Sequence, residues 1–464
     1  MRRVVVIGCG ISGLAAAHRL KELDPSLNLT LIEASARVGG TLLTDQRDGF
    51  LLERGPDSFI TEKPEAVALA KRLGLESRLI ETNPNHRRSF IVRKGRLRPV
   101  PEGFQLLAPS RIWPFLTTDI FSLAGKIRMA GDLVLPRRAT NGSSDESLSS
   151  FVRRRLGREA LERMAQPMVG GIYTADPETL SLRATLPRFL DFERDHRSLI
   201  LAMLRKARTQ SGTSGARYGL FLSFDRGMEV LVEALKQKLG TCEIKVNTRV
   251  VAVERDSGWK LRTDDEETIN ADALCLAVPA YVAAQLLSGI DPSLSTQLNA
   301  IKYASTATIN LAYRREAIQH PLDGFGFVVP FVEKRSVLAC TFSNVKFPGR
   351  APEGHVLLRA FVGGALQPEM FALNESEMLA RAQQDLSELL GITEKPLFAE
   401  VSKWQDSMPQ YQVGHLDRVA AIENSVRELP GLTLAGNAYR GAGIPDCIRS
   451  GETAAEKIIE ALKA

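Results

Sequence analysis

Residues 4–13, VVVIGCGISG, place a β-branched run, Val4 to Ile7, directly ahead of three glycines, Gly8, Gly10 and Gly13, and the apolar spacing from Ser12 to Leu23 then predicts a helix. A strand, a glycine turn and a helix in this order form a phosphate cradle. The first glycine permits the tight turn, the second lets backbone approach a pyrophosphate, and the third lets helix pack closely on strand. First-turn N–H groups, those of Ile11 and Ser12 among them, then face the phosphates at the positive end of the helix dipole. A second apolar run, Leu29 to Ile32, ends in Glu33. It lies about 20 residues beyond the last glycine, where a carboxylate can bind a ribose hydroxyl.

The continuation EASARVGGTL carries Ala34, Arg37, Gly39, Gly40 and Thr41 at fixed offsets from Glu33. That string resembles the FAD-binding signature of the flavoprotein oxidase superfamily, which includes amine oxidases, phytoene desaturases and porphyrinogen oxidases. NAD dehydrogenases usually lack it. The resemblance implies FAD as the cofactor, its remaining phosphate met by the second glycine turn and the arginine.

At 464 residues the chain suits roughly three domains of about 150 residues each. A hydrophobic content of 44% with 25% charged residues excludes disorder and fibres. The net charge of +6 is spread without long basic runs, which argues against nucleic acid and for a basic cleft that takes an acidic substrate. Cys9, Cys242, Cys275, Cys340 and Cys447 are far apart, which suits free thiols and neither a disulfide framework nor a metal site. A first strand at Val4 leaves no space for a leader, so a cytoplasmic location is expected. No run reaches the roughly 18 apolar residues of a spanning helix, which limits membrane contact to a peripheral one.

Along the chain, DGFLLERGPDSF (48–59) reads as a strand ending in a polar turn, with Gly55, Pro56, Asp57 and Ser58 expected beside the flavin ring. Glu65 to Leu73 is helical and capped by Gly74. A cationic hairpin from His86 turns at Lys94 and Gly95, and one or two of its six cations are expected to bind substrate carboxylates. Phe104 to Leu135 predicts a helical insertion broken at Pro109 and Pro114, followed by a loop at Thr140 to Ser144 and a helix capped by Ser147. Gly170 and Gly171 suggest backbone approached by something flat. An α/β pattern resumes at Phe224, and Val250 is expected to meet the adenine. Ile309 to Tyr313, Gly326 to Val329, Val337 to Phe342 and Val356 to Val362 alternate as an antiparallel sheet does. Near the end, Leu432 to Leu434 is a strand leading through Gly436 and Asn437 to a helix that starts at Ile444, Pro445 and Asp446 and points its N-terminus at the flavin.

Seven strings in order, GGIYTADPETLSL, HRSLI, GFGFVV, FPGRAPEG, AFVGG, QYQVGHLDRV and AGNAYRGAGIPDCI, give the whole chain a resemblance to the FAD-dependent protoporphyrinogen and coproporphyrinogen oxidases of heme biosynthesis. The resemblance implies an α/β fold in which a Rossmann-type FAD domain (1–84, 223–297, 403–464) is interleaved with an antiparallel-sheet substrate domain (85–100, 196–222, 298–402) and a helical, membrane-binding-like domain (101–195). It places the porphyrinogen against Val328, Thr341 and Phe361, the Gly171 carbonyl toward the pyrrole N–H groups, and Trp404 beside the flavin. An arginine that pairs with a propionate in many protoporphyrinogen-specific members aligns with Ser89, next to Arg88, which leaves protoporphyrinogen IX and coproporphyrinogen III both open. The implied reaction is a six-electron oxidation with molecular oxygen. It needs no catalytic protein acid or base, because the flavin takes the hydride. A flavin amine oxidase or carotenoid desaturase is the competing reading; an aromatic cage would mark the former, and Val328 and Phe361 do not supply one. A flavin-binding scaffold without turnover is a third. The sequence decides neither a homodimer nor a hand-off to a neighbouring heme-pathway enzyme.

Overall fold

A computed structural model describes residues 2–138, 145–209, 221–240 and 242–463. Its centre is a five-stranded parallel sheet in the order Glu243–Lys245, Asn28–Ile32, Arg3–Ile7, Ala273–Leu276, Leu432–Leu434. The central strand is apolar from Val4 to Ile7 because both faces are covered there. Val4 and Val6 pack on helices Ile11–Leu23 and Ile444–Lys463, while Val5 and Ile7 pack toward the antiparallel ribbon Val250–Arg255, Trp259–Thr263, Thr268–Ala271.

The second sheet has seven strands: Phe398–Pro409, Tyr303–Arg314, His355–Gly363, Ala339–Phe342, Gly326–Val328, Phe90–Arg93 and Arg96–Pro99. It is mixed, since Gly326–Val328 runs parallel to Phe90–Arg93. Leu358, Ala360, Phe327 and Cys340 bury one face against helix Glu375–Leu390. The alternate residues Val328, Ala339, Thr341 and Phe361 are only half-buried. Half-buried side chains in the middle of a wide sheet mark the floor of a cleft.

The helical segment closes that cleft. Ile91 and Val328 touch its core, which is built from helices such as Leu148–Arg155, Gln166–Tyr173 and Pro187–His196. Three expectations differ from the structure here. Phe104–Gln105 and Ala108–Pro109 pair as a small hairpin, not a helix. Pro114 does not break helix Ile112–Thr117, because it sits in the first turn, where no N–H is needed. Helix Leu199–Thr209, expected with the second sheet, joins the helical core through Leu199 and Met203. The loop Thr140 to Ser144 lies outside the described residues, while Ser147 caps Leu148–Arg155 by accepting from the Ser150 N–H at 3.1 Å.

A fully buried ion pair pins the helical segment. Arg155 Nε donates to Asp132 Oδ1 at 2.7 Å, and Asp132 Oδ2 accepts from Ser198 Oγ at 2.6 Å and the Ile200 N–H at 3.1 Å. Removing Asp132 leaves the buried Arg155 only the more distant Glu193 carboxylate, at 3.6 Å. Asp132→Ala is therefore expected to cost about 3–5 kcal/mol, read as a lower urea midpoint; an unchanged midpoint would refute this account of the segment.

Candidate functional site

The two glycine turns fold onto each other. The Gly8 N–H donates to Ile32 O at 2.8 Å and the Gly39 N–H to Cys9 O at 2.7 Å, so the turn after the first strand lies against the turn after the second. At Gly13 a β-carbon would stand 1.9 Å from Gly8 O, which is why helix Ile11–Leu23 can lie so close to its strand. At Gly10, by contrast, a β-carbon would meet nothing within 4 Å, and no side chain caps this helix. Open space above uncapped N–H groups is what a pyrophosphate requires. The site therefore fits the expected dinucleotide.

Glu33 sits beside this turn: its Oε2 accepts from the Cys9 N–H at 2.8 Å and its Oε1 from the Ser35 N–H at 2.9 Å. Oε1 also accepts from the Ser35 hydroxyl at 2.8 Å, so it is Oε2 that keeps a further acceptor site for a ribose hydroxyl. Ala34 is exposed at the same strand end. Asn247 and Thr248 donate their N–H groups to Ser35 O and Glu33 O, which brings buried Val250 to this end of the cradle. Arg37 braces the second turn through the carbonyls of Val38, Gly40 and Leu42. Thr41 follows, and a β-carbon on Gly55 would come within 1.8 Å of Thr41 O. The Gly55–Pro56–Asp57–Ser58 turn is thus stacked on the glycine turns.

The terminal helix reaches the same place. Gly451 lets Ile444–Lys463 cross helix Ile11–Leu23, since a β-carbon there would lie 2.1 Å from Ser12 O. Ile444, Pro445 and Asp446 are buried at its start, and Asp446 is held by Lys63 and Arg449, each at 2.5 Å. Ahead of it, Gly436 has φ +138° with open space where a side chain would be, and Asn437 O accepts from the Tyr411 hydroxyl. Tyr411 stacks on His415 at 4.1 Å, and His415 Nε2 meets Tyr439 O at 2.8 Å. Gly451 and Tyr411 were not singled out in the sequence; a glycine inside an otherwise helical run was the available signal for the first.

The second sheet supplies the opposite wall. Register pairs Val328 with Ala339 and Ala339 with Phe361, and Thr341 lies two residues on, so these four share one face. A β-carbon on Gly171 would lie 3.9 Å from Val328 Cγ1, which brings Gly171 over the same face. Farther along that face, side chains reach across to the strand exit Glu53–Gly55. Asn310 Nδ2 donates to Glu53 O at 3.1 Å, Thr308 Oγ1 and Trp404 Nε1 donate to Arg54 O at 2.6 and 3.0 Å, and Arg359 Nη2 donates to Gly55 O. Arg88 is turned elsewhere: it donates to the Asp323 carbonyl at 2.6 Å and to its carboxylate. Ser89 is half-buried, and its carbonyl accepts from the Val100 N–H at 2.9 Å.

Charge is concentrated beneath the Gly55 turn. Burial alone would raise the Asp57 carboxyl, but Lys346 Nζ at 2.8 Å and Arg359 at 3.8 Å hold it well below the usual carboxylate range. Burial pushes Glu53 up to about 7, despite bonds from Thr44 Oγ1 and the Met228 N–H, both at 2.8 Å. The one signal of this group in the sequence is a lone arginine in the apolar strand VLLRAFVG.

Residues 11–459 match the profile of flavin-containing amine oxidoreductases. The chain is 37% identical to the coproporphyrinogen III oxidase of Bacillus subtilis over 461 residues, 98% of this chain and 97% of that protein. It is 30% identical to the chloroplastic protoporphyrinogen oxidase of Nicotiana tabacum, over 98% of this chain and 85% of that one. The crystal structure of a candidate protoporphyrinogen oxidase from Exiguobacterium sp. 255-15 superposes with a TM-score of 0.88 at 33% identity, covering 100% and 99% of the two chains.

Two outcomes are expected of this geometry. Gly10→Val should leave stability within about 0.5 kcal/mol yet abolish flavin binding, whereas Gly13→Ala should destabilise the fold itself; equal flavin content in Gly10→Val and the parent would refute the cradle. Burial depresses the His415 imidazole to about 4, below its unfolded value of about 6.5. Its contribution to stability is thus complete above about pH 6.5 and is lost as pH falls toward 4. His415→Gln should flatten that acid limb in a pH series of thermal unfolding.

Proposed function

The chain belongs to the flavin-containing amine oxidoreductase family, and within it we propose that this protein binds FAD and oxidises a porphyrinogen to the porphyrin in heme biosynthesis. The observation that carries the reading is the flat, half-buried row of Val328, Ala339, Thr341 and Phe361 facing Gly171, with the Gly55–Ser58 turn at its border. Its neighbours in sequence that bear porphyrinogen oxidase names match it over almost the full chain. The flavin supplies hydride acceptance and reoxidation by oxygen, so three rounds remove six electrons and six protons from the macrocycle and turn three O2 into three H2O2.

The chain's own work is positional. Val328, Thr341 and Phe361 hold the apolar faces of the tetrapyrrole and exclude water, and the Gly171 carbonyl accepts from pyrrole N–H groups. Gly10, Gly40 and the helix starts at Ile11 and Ile444 hold the dinucleotide, with Glu33 on the ribose. Held this way, a bridging carbon needs no protein base to give up its hydride, because the gain in aromaticity drives the step. On this reading the parallel sheet and its helices are the FAD domain and the seven-stranded sheet the substrate domain.

Coproporphyrinogen III is the favoured substrate. Arg88 is committed to Asp323 and Ser89 stands where a propionate-pairing arginine would be, so a pocket tuned to the two-propionate substrate is not built at that edge. No helix among the described residues is long and apolar enough to cross a membrane. The exposed Trp113, Leu116, Leu123 and Ile127 on two neighbouring helices would give a peripheral membrane contact, with Trp113 74% and Leu123 75% exposed.

Purified yellow protein supplied with each porphyrinogen in air should form fluorescent porphyrin and peroxide, with the higher kcat/KM on coproporphyrinogen III; rates no faster than spontaneous oxidation on both would refute the function. Trp113→Asp combined with Leu123→Asp should abolish co-sedimentation with anionic vesicles while leaving turnover in solution intact. Equal sedimentation of that variant and the parent would refute the contact.

A further inference from the structure

Arg359 is a buried cation that the reaction above does not use. It lies in the middle of strand His355–Gly363, paired in register with Thr341 on one side and Asn310 on the other, so it shares the cleft-facing side with Phe361. Its guanidinium stands 4.8 Å from the Phe361 ring centroid. The side chain is only 4% exposed because the Gly55–Ser58 turn lies over it. A buried guanidinium is expensive unless its donors are used and its charge is balanced. Here Nε has no partner among the described residues, and the nearest carboxylate, Asp57, is already engaged by Lys346 at 2.8 and 3.0 Å.

The balance of the whole group points the same way. Three interior cations, Arg350, Arg359 and Lys346, face two carboxylates, Asp57 and Glu53. Glu53, pushed up to about 7, is only partly ionised at neutral pH. The next carboxylate outward, Asp225, is held by Arg78 at 2.9 Å. Glu229 accepts from the Thr44 N–H at 3.1 Å. The interior therefore carries surplus positive charge at the border between the cofactor turn and the substrate face.

We propose that Arg359 is a positioning residue that ties the Gly55–Ser58 turn to the substrate sheet and, through its unbalanced charge beneath that turn, favours the reduced, anionic flavin and hence hydride transfer. The inference rests on the flavin lying against this turn, as the proposed function has it. A reduced flavin carries its extra electron pair as negative charge at neutral pH, and in a low-dielectric interior a nearby fixed cation stabilises it strongly. The two electrons and the hydrogen come from the substrate's bridging carbon, as in the reaction already described; Arg359 neither gives nor takes a proton.

The test compares Arg359→Met, Arg359→Gln and Arg359→Lys, each loaded with FAD, by redox titration of the bound flavin without substrate. At the parent's midpoint potential the ratio of reduced to oxidised flavin is expected to fall at least tenfold in the Met and Gln variants. In the Lys variant it should stay within about threefold. Flavin reduction by porphyrinogen should slow in the same order, with KM within threefold of the parent. Parent-like potentials in Met and Gln overturn the proposal, as does a Lys variant as impaired as Gln. Failure of all three to retain flavin also overturns it, since Arg359 would then be a folding residue. If the parent leaves both porphyrinogens unoxidised, the proposed function falls, while the titration still decides the role of Arg359.

Discussion

Three successive backbone carbonyls, those of Glu53, Arg54 and Gly55, receive hydrogen bonds from side chains of the second sheet: Asn310, Thr308 with Trp404, and Arg359. A buried carbonyl left unpaired costs about 1–3 kcal/mol, so the chain leaving strand Phe50–Glu53 can take this path only with that sheet beneath it. Everything that matters to the site follows from the arrangement. It fixes the turn that borders the cofactor cradle to the strands that floor the cleft, although the two belong to different sheets and to stretches of chain some 250 to 350 residues apart.

On the other side of the cradle the constraint is the absence of side chains. Gly13 lets helix Ile11–Leu23 lie on its own strand, and Gly451 lets helix Ile444–Lys463 lie on that first helix. The two helix starts are thereby drawn to one locus, where their dipoles add. A single methyl at either glycine would push one helix away from its neighbour and separate the two positive ends. Close packing here sets an electrostatic property of the site.

The glycine turns, the parallel strands and the cradle were legible in the sequence because each rests on a local requirement: a left-handed φ at Gly8, open space at Gly10, two-sided burial of Val4 to Ile7. Val356 to Val362 was likewise legible as a strand of the second sheet, although both of its faces are largely buried. The hairpin at Phe104 was not legible, since its apolar residues fit helical spacing equally well and only tertiary packing chooses. Nor was the contact between Arg359 and Gly55, because no sequence period links residues 304 apart. The family resemblance supplied Val328, Thr341 and Phe361 without explaining why they line up; the register of three strands does.

That register also accounts for the division of labour on the cleft face. Passing from Val328 through Ala339 and Phe361 to Thr308 and Ser402, one row of paired positions runs from apolar to polar across the sheet. The apolar end lies beneath Gly171 and the helical segment, and the polar end lies beneath the Glu53–Gly55 exit. Because side chains at paired positions share a face, a change in the register of His355–Gly363 by one residue would turn Phe361 and Arg359 together into the core against helix Glu375–Leu390. The apolar floor and the buried cation are therefore a single structural decision, made by one strand, and neither could be moved without losing the other.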